Sequence, residues 1–116
     1  MAEYCLAHVG INASNPEEAM KTAKLFETLF GLTVKEGNSS IFAGTAVEVL
    51  KTPYKGVHGH IAIGTPDVAA ARAELEGKGI AFDQNTAKYK PDGKLQAIYL
   101  SDEICGFAVH LVGMSV

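Results

Sequence analysis

The chain has 116 residues, 47% of them hydrophobic, and a formal net charge of −3. That length suits one domain with a real core, and the composition excludes a disordered, collagenous or disulfide-framed protein. No apolar run approaches the ~20 residues that span a bilayer, and Lys and Arg are scattered, so neither membrane nor nucleic acid is expected as a partner.

Residues 4–11 read as a strand in which Val9 and Ile11 face one way and His8 and Gly10 the other. Ser14-Asn15-Pro16-Glu17-Glu18 is a helix start, with a capping side chain, proline in the first turn and acids near the positive end of the dipole. Ser14 with Glu17, or Asn15 with Glu18, has capping-box spacing. Ala19, Ala23, Phe26 and Phe30 follow as one helical stripe and read as core, and Gly31 is the stop. The spans 32–36, 39–43 and 45–51 read as short strands with turns at Gly37-Asn38 and Gly44-Thr45.

Residues 52–58 form a linker with Pro53 and Gly56, after which the order repeats. A strand over 59–64 puts Ile61 and Ile63 opposite His60 and Ala62. Thr65-Pro66-Asp67 reads as a cap-plus-proline start for a helix with the stripe Val68, Ala71 and Leu75, ended by Gly77 or Gly79. Strands are expected over 80–87 and 95–100 around a turn at Pro91-Asp92-Gly93, and a last one over 107–112. The chain is thus two β-α-β-β-β modules, about 4–51 and 59–112. Each alone would leave one sheet face bare. Side by side they form an α+β domain, a curved eight-stranded sheet with helices outside. The aliphatics at 9, 11, 61 and 63 are expected under the helices, and the histidines, one residue out of phase, on the concave face.

The repeat sets His8-Val9-Gly10-Ile11 against His60-Ile61-Ala62-Ile63, and Val47-Glu48-Val49-Leu50 against Val109-His110-Leu111-Val112. His8, Glu48, His60 and His110 therefore occupy related places. A carboxylate in an apolar strand is costly unless paired or bound to an ion. Three imidazoles and one carboxylate suit a divalent Zn, Ni, Fe or Mn. The competing expectation is a set of buried histidines hydrogen-bonded to backbone or to Glu48. His58, by alternation on the face of His60, is a weaker candidate. Lys88 and Tyr89 are weak candidates for contact with an anionic substrate, although such a cluster is more often a solvated turn. Cys5 and Cys105 fit no CxxC spacing and read as free thiols. Met1-Ala2-Glu3-Tyr4 lacks the order of a signal peptide, so the cytoplasm is the expected compartment.

On these runs, from about Tyr4 to Val112, the chain resembles the vicinal oxygen chelate superfamily, which includes glyoxalase I, methylmalonyl-CoA epimerase, extradiol dioxygenases and the fosfomycin and bleomycin resistance proteins. The resemblance implies metal ligands at His8, Glu48, His60 and His110. It departs at His110, where metal-binding members usually carry glutamate. It implies a metal-dependent lyase or isomerase that chelates neighbouring oxygens of a small 2-oxo or hydroxy acid or ketone, with Glu48 as base if it leaves the metal during turnover and otherwise only a ligand, and it implies a homodimer. A ring-cleaving dioxygenase built on His8, His60 and Glu48 is a further alternative, for which the chain is short. Gly37 to Thr45, Gly59 to Thr65 and Thr86 to Tyr89 are also similar to a glyoxalase-like module found with bacterial keto-hydroxyglutarate/keto-deoxy-phosphogluconate aldolases. That implies the alternative of a non-catalytic binding or accessory module, with the aldolase chemistry elsewhere.

Overall fold

The structure, a computed structural model, describes residues 1–116. Its elements run β1 (Cys5–Asn12), α1 (Pro16–Phe30), β2 (Val34–Glu36), β3 (Ser40–Ala43), β4 (Val47–Leu50), β5 (Gly59–Thr65), α2 (Val68–Gly77), β6 (Phe82–Tyr89), β7 (Leu95–Leu100) and β8 (Phe107–Gly113). One eight-stranded sheet holds them in the order β2-β3-β4-β1-β5-β8-β7-β6. The two β-α-β-β-β modules expected from the repeat are both present.

The repeat extends to the register. β1 pairs parallel with β4, setting Val9 opposite Val47, and β5 pairs parallel with β8, setting Ile61 opposite Val109. The modules meet where β1 runs antiparallel to β5, with Val9 opposite Ile61. They close on each other within one chain, so the four candidate ligands lie on adjacent strands β4-β1-β5-β8 at the middle of the sheet.

Helix α1 begins as its sequence dictates. Asn15 has extended backbone, and its side chain accepts from the Glu18 N–H at 2.8 Å, while Glu18 Oε1 accepts from the Ser14 N–H at 2.7 Å. Of the two possible capping pairs, Asn15 and Glu18 form. Gly31 ends the helix at φ 72°, a left-handed conformation that glycine adopts without a Cβ clash. Ala19 and Ala23 are fully buried with Ile41 and Val49, but Phe30 is 67% exposed. The expected stripe is core only at its start. Fifteen helical residues span about 22 Å, whereas the four-residue strands beneath cover about 13 Å, so the last turn outruns the sheet.

Helix α2 starts two residues later than a cap at Thr65 with proline at the first helical position implies. Asp67 is the cap, accepting from the Ala70 N–H at 3.0 Å, and Pro66 precedes it. Val68, Ala71, Ile98 and Leu111 form the second core, with Ile63 and Leu75 against it. Of the aliphatics at 9, 11, 61 and 63, only Ile63 joins a helix-covered core. α1 lies over β2, β3 and β4 and α2 over β7 and β8, so β1 and the start of β5 fall between them. Strand β6 begins at Phe82 instead of residue 80, because the Ile80 N–H still bonds the Leu75 carbonyl beyond Gly79. No helix is long and apolar enough to cross a membrane.

Candidate metal centre

Alternation along the four central strands carries His8, Glu48, His60 and His110 to the face away from the helices. Glu48 lies opposite Gly10, His110 opposite Ala62, and His60 opposite Gly10 across the module junction. Those small partners leave room for the side chains to lean together. At Gly10 the fit is tight enough that a Cβ would overlap the His60 ring.

Three side-chain atoms form a triangle. His8 Nε2 is 3.2 Å and His60 Nε2 3.0 Å from Glu48 Oε1, and the two nitrogens are 3.3 Å apart. Around an ion with bonds of ~2.1 Å, adjacent ligand atoms sit roughly 3.0 Å apart at right angles and roughly 3.4 Å apart in a tetrahedron. The triangle falls within that interval. The same lengths suit hydrogen bonds in which both imidazoles donate to Glu48, so the donor set fits a metal without requiring one. The nitrogens of His8, His60 and His110 all lie within 4.8 Å of one another.

The ring of His110 is set for ligation. Its Nδ1 is 3.0 Å from the Leu111 carbonyl, which can only accept, so Nδ1 carries the proton and Nε2 keeps its lone pair. Burial is the main cause that drives its pKa down to about 4, which keeps the ring neutral at physiological pH. Glu48 is the opposite case. Burial pushes its carboxyl up, but hydrogen bonds from His60, His8 and Ser40 outweigh that and hold it well below the usual carboxylate range. Ser40 Oγ donates to Glu48 Oε2 at 2.7 Å, leaving Oε1 for the two imidazoles. His60 Nδ1 is buried with no partner, so nothing on that side of its ring selects a tautomer.

The cluster forms the floor of a cavity of about 540 Å³. Tyr99, paired with His110 from the neighbouring strand β7, flanks the histidines, its ring centroid 4.7 Å from His110 and 6.4 Å from His60. Burial first, then the nearby Tyr54 and Glu48, raise the Tyr99 hydroxyl above the ordinary tyrosine value, so it stays a neutral phenol. The inter-module linker supplies one wall through Thr52, Pro53 and Tyr54, tied down where the Tyr54 N–H and the Gly56 carbonyl bond the Asn12 side chain.

His8, Glu48, His60 and His110 thus come together, and Lys88 lines the same cavity. Two other candidates do not reach it. His58 is exposed and stacks on Phe107 at 5.5 Å, because Gly59, at φ 141°, breaks the alternation that would have placed it with His60. Tyr89, the neighbour of Lys88, points to the opposite side. There it accepts from Gln84 at 2.9 Å and lines a separate hollow of about 620 Å³ near the start of α2. Gly10, Ser40, Tyr54 and Tyr99 belong to the site without having been singled out. Gly10 alone left a signal, being a glycine in a strand interior, which often marks a close approach.

No family model matches this sequence, and no curated protein matches it. Solved structures do. A variant methylmalonyl-CoA epimerase of Streptomyces coelicolor in complex with 2-nitronate-propionyl-CoA is 21% identical, with 96% of this chain and 97% of that one covered and a TM-score of 0.65. A methylmalonyl-CoA epimerase in complex with methylmalonyl-CoA and an ammonium ion is also 21% identical, covering 96% and 94% at a TM-score of 0.66. A hypothetical protein of Bacillus halodurans C-125 is 14% identical, covering 98% and 96% at a TM-score of 0.68. At this identity the likeness is one of fold, and it agrees with the vicinal oxygen chelate architecture. The narrower similarity to an aldolase-associated module finds no support among these structures.

Proposed function

We propose that this protein is a metal-dependent isomerase or lyase of the vicinal oxygen chelate type, acting on a small 2-oxo or hydroxy acid or ketone. The observation that carries this reading is the triangle of His8 Nε2, His60 Nε2 and Glu48 Oε1, with edges of 3.0 to 3.3 Å, at the floor of an open cavity. His110 Nε2 completes the donor set. Zn, Ni, Fe and Mn all suit three imidazoles and one carboxylate. When bound, such an ion supplies Lewis acidity to two adjacent substrate oxygens.

The chain's own residues do the rest. Tyr99 and the linker wall hold the substrate against the floor and limit water. Glu48 is the only carboxylate lining the cavity and is the assigned proton acceptor. With an ion bound, the Nε2 atoms of His8 and His60 would ligate instead of donating to Glu48, so Glu48 acts as base by leaving the ion and is otherwise a ligand only. Ser40 keeps hold of Oε2 throughout. The epimerases of similar fold bind acyl-CoA ligands, which favours isomerisation within this pair of reaction types. A homodimer belongs to the same proposal, on resemblance alone.

A second reading has its own support. Both Glu48 oxygens are engaged by His8, His60 and Ser40 without an ion, as in a non-catalytic binding pocket, although His60 Nδ1 has no partner. Metal analysis of the purified protein, followed by assay against 2-oxo and hydroxy acids with and without chelator, separates the two. One ion per chain, lost in His8→Ala and His110→Ala, with turnover that vanishes on chelation, is the expected result. Turnover unchanged after full metal removal would overturn it.

A further inference from the structure

The cavity is electrically lopsided. Among its lining residues only Glu48 and Lys88 carry formal charge, and Glu48 is engaged by His8, His60 and Ser40. Lys88 makes no ion pair. A second cation stands at the rim. Lys55 is half-buried, its Nζ is 5.7 Å from the Tyr99 ring centroid and 6.0 Å from that of Tyr54, and it too lacks a carboxylate partner. With a divalent ion on the floor the cavity would be cationic from end to end.

The sheet register fixes how far apart the two ends are. Tyr99 lies opposite His110, and a shift in the β6–β7 ladder after Asp83 brings Lys88 opposite Ala97. Lys88 is therefore two strands across and two residues along from His110, about 10 Å by about 7 Å. Lysine's flexible four-carbon stem covers roughly half of that span, which leaves about 6 Å for a ligand.

We propose that the cavity selects a small dianion, a 2-oxo acid whose far end carries a second carboxylate or a phosphate that Lys88 receives, with Lys55 beside it. This rests on the metal-centred reading above and deepens it by naming the substrate class. The near end of the ligand, a carboxylate next to a carbonyl, offers the vicinal oxygens that the floor takes. The far end neutralises two cations that have no carboxylate partner in the protein. Both lysines are in contact with water, so the preference is modest at ordinary salt and shrinks as salt is raised.

Calorimetric binding to zinc-loaded protein tests this with 2-oxoglutarate and 2-oxopentanoate, which share five carbons and differ only in carboxylate against methyl at the far end. The expected result is that 2-oxoglutarate binds about five- to tenfold tighter. Lys88→Met removes most of that difference, and Lys90→Met, at a residue that lines the separate hollow near α2 and not this cavity, leaves both ligands unchanged. A matched 2-oxo-4-phosphonobutanoate that binds tighter than 2-oxoglutarate assigns the far end to phosphate, and weaker binding assigns it to carboxylate. Equal affinities for the first pair, or a preference that survives in the Lys55→Met/Lys88→Met double variant, overturns the proposal. If zinc does not bind, the metal-centred reading falls. The same pair on ion-free protein then still reads the rim, and equal affinity there overturns the dianion subsite separately.

Discussion

At the scale of single residues, the site depends on what is missing as well as on what is present. Gly10 has no side chain, and the His60 ring occupies the space one would take. Gly10→Ala must push His60 off the triangle, since the backbone on both sides is held in ladders. We expect a loss of about 1–3 kcal/mol in stability, the usual range for overpacking, and at least about tenfold weaker zinc binding. Gly77→Ala is the control, because nothing lies within 4 Å of a Cβ there, and it should leave both quantities near wild type. Equal zinc affinity in Gly10→Ala and wild type would show that His60 is not a ligand.

His110 yields a second residue-scale expectation, for the ion-free protein. Its folded-state pKa of about 4 lies below the ordinary 6.5, so between those values the unfolded chain binds a proton that the native state refuses. Stability is then whole above pH 6.5 and falls as pH drops toward 4, by at most about 3 kcal/mol from this group. Glu48, held low, adds its own loss as pH falls below 4.5. Urea titrations in chelator at a series of pH values should show the decline, and His110→Gln should flatten it between 6.5 and 4. A wild-type curve without slope in that window would contradict the buried neutral imidazole.

At the scale of elements, local signals and packing divide the work. The start of α1 was legible because capping chemistry is local, and Asn15 and Glu18 make the bonds their spacing implies. Asn15→Ala should therefore cost about 1 kcal/mol in chemical denaturation without changing zinc affinity. The far end of α1 was not legible. Phe26 and Phe30 keep helical period whether or not a sheet lies beneath them, and only the shortness of β3 and β4 leaves Phe30 in water. The strands bearing the candidate ligands were readable for a similar reason. A period of two assigns His8 and His60 to one face without knowledge of the partner strand. Ser40 and Tyr99 became visible only with the cross-strand register, which sets Tyr99 opposite His110, and the same register explains the strand-interior glycine at Gly10 by setting it opposite His60. His58 failed for lack of one backbone angle, at Gly59, and Tyr89 because the β6 ladder shift beside it decides which of two neighbours faces the cavity.

At the scale of the whole molecule, the antiparallel junction of β1 with β5 decides where the site resides. The same half-domains could pair across two chains, and the eight residues from Lys51 to His58 between β4 and β5 would not forbid it. In this structure β1 and β5 of one chain pair from Cys5 with Gly64 to Ile11 with Gly59, and all four candidate ligands come from that chain. Binding should therefore be stoichiometric per chain and insensitive to association. Zinc-loaded protein diluted through any dimer dissociation, followed by sedimentation and metal analysis of the monomer peak, should retain one ion per chain. An exchanged dimer would behave otherwise, because separating its chains splits His8 and Glu48 from His60 and His110 and releases the metal. Zinc lost in step with dissociation would mean that the modules pair between chains in solution, and a homodimer, if one forms, would then be part of the catalytic centre instead of an addition to it.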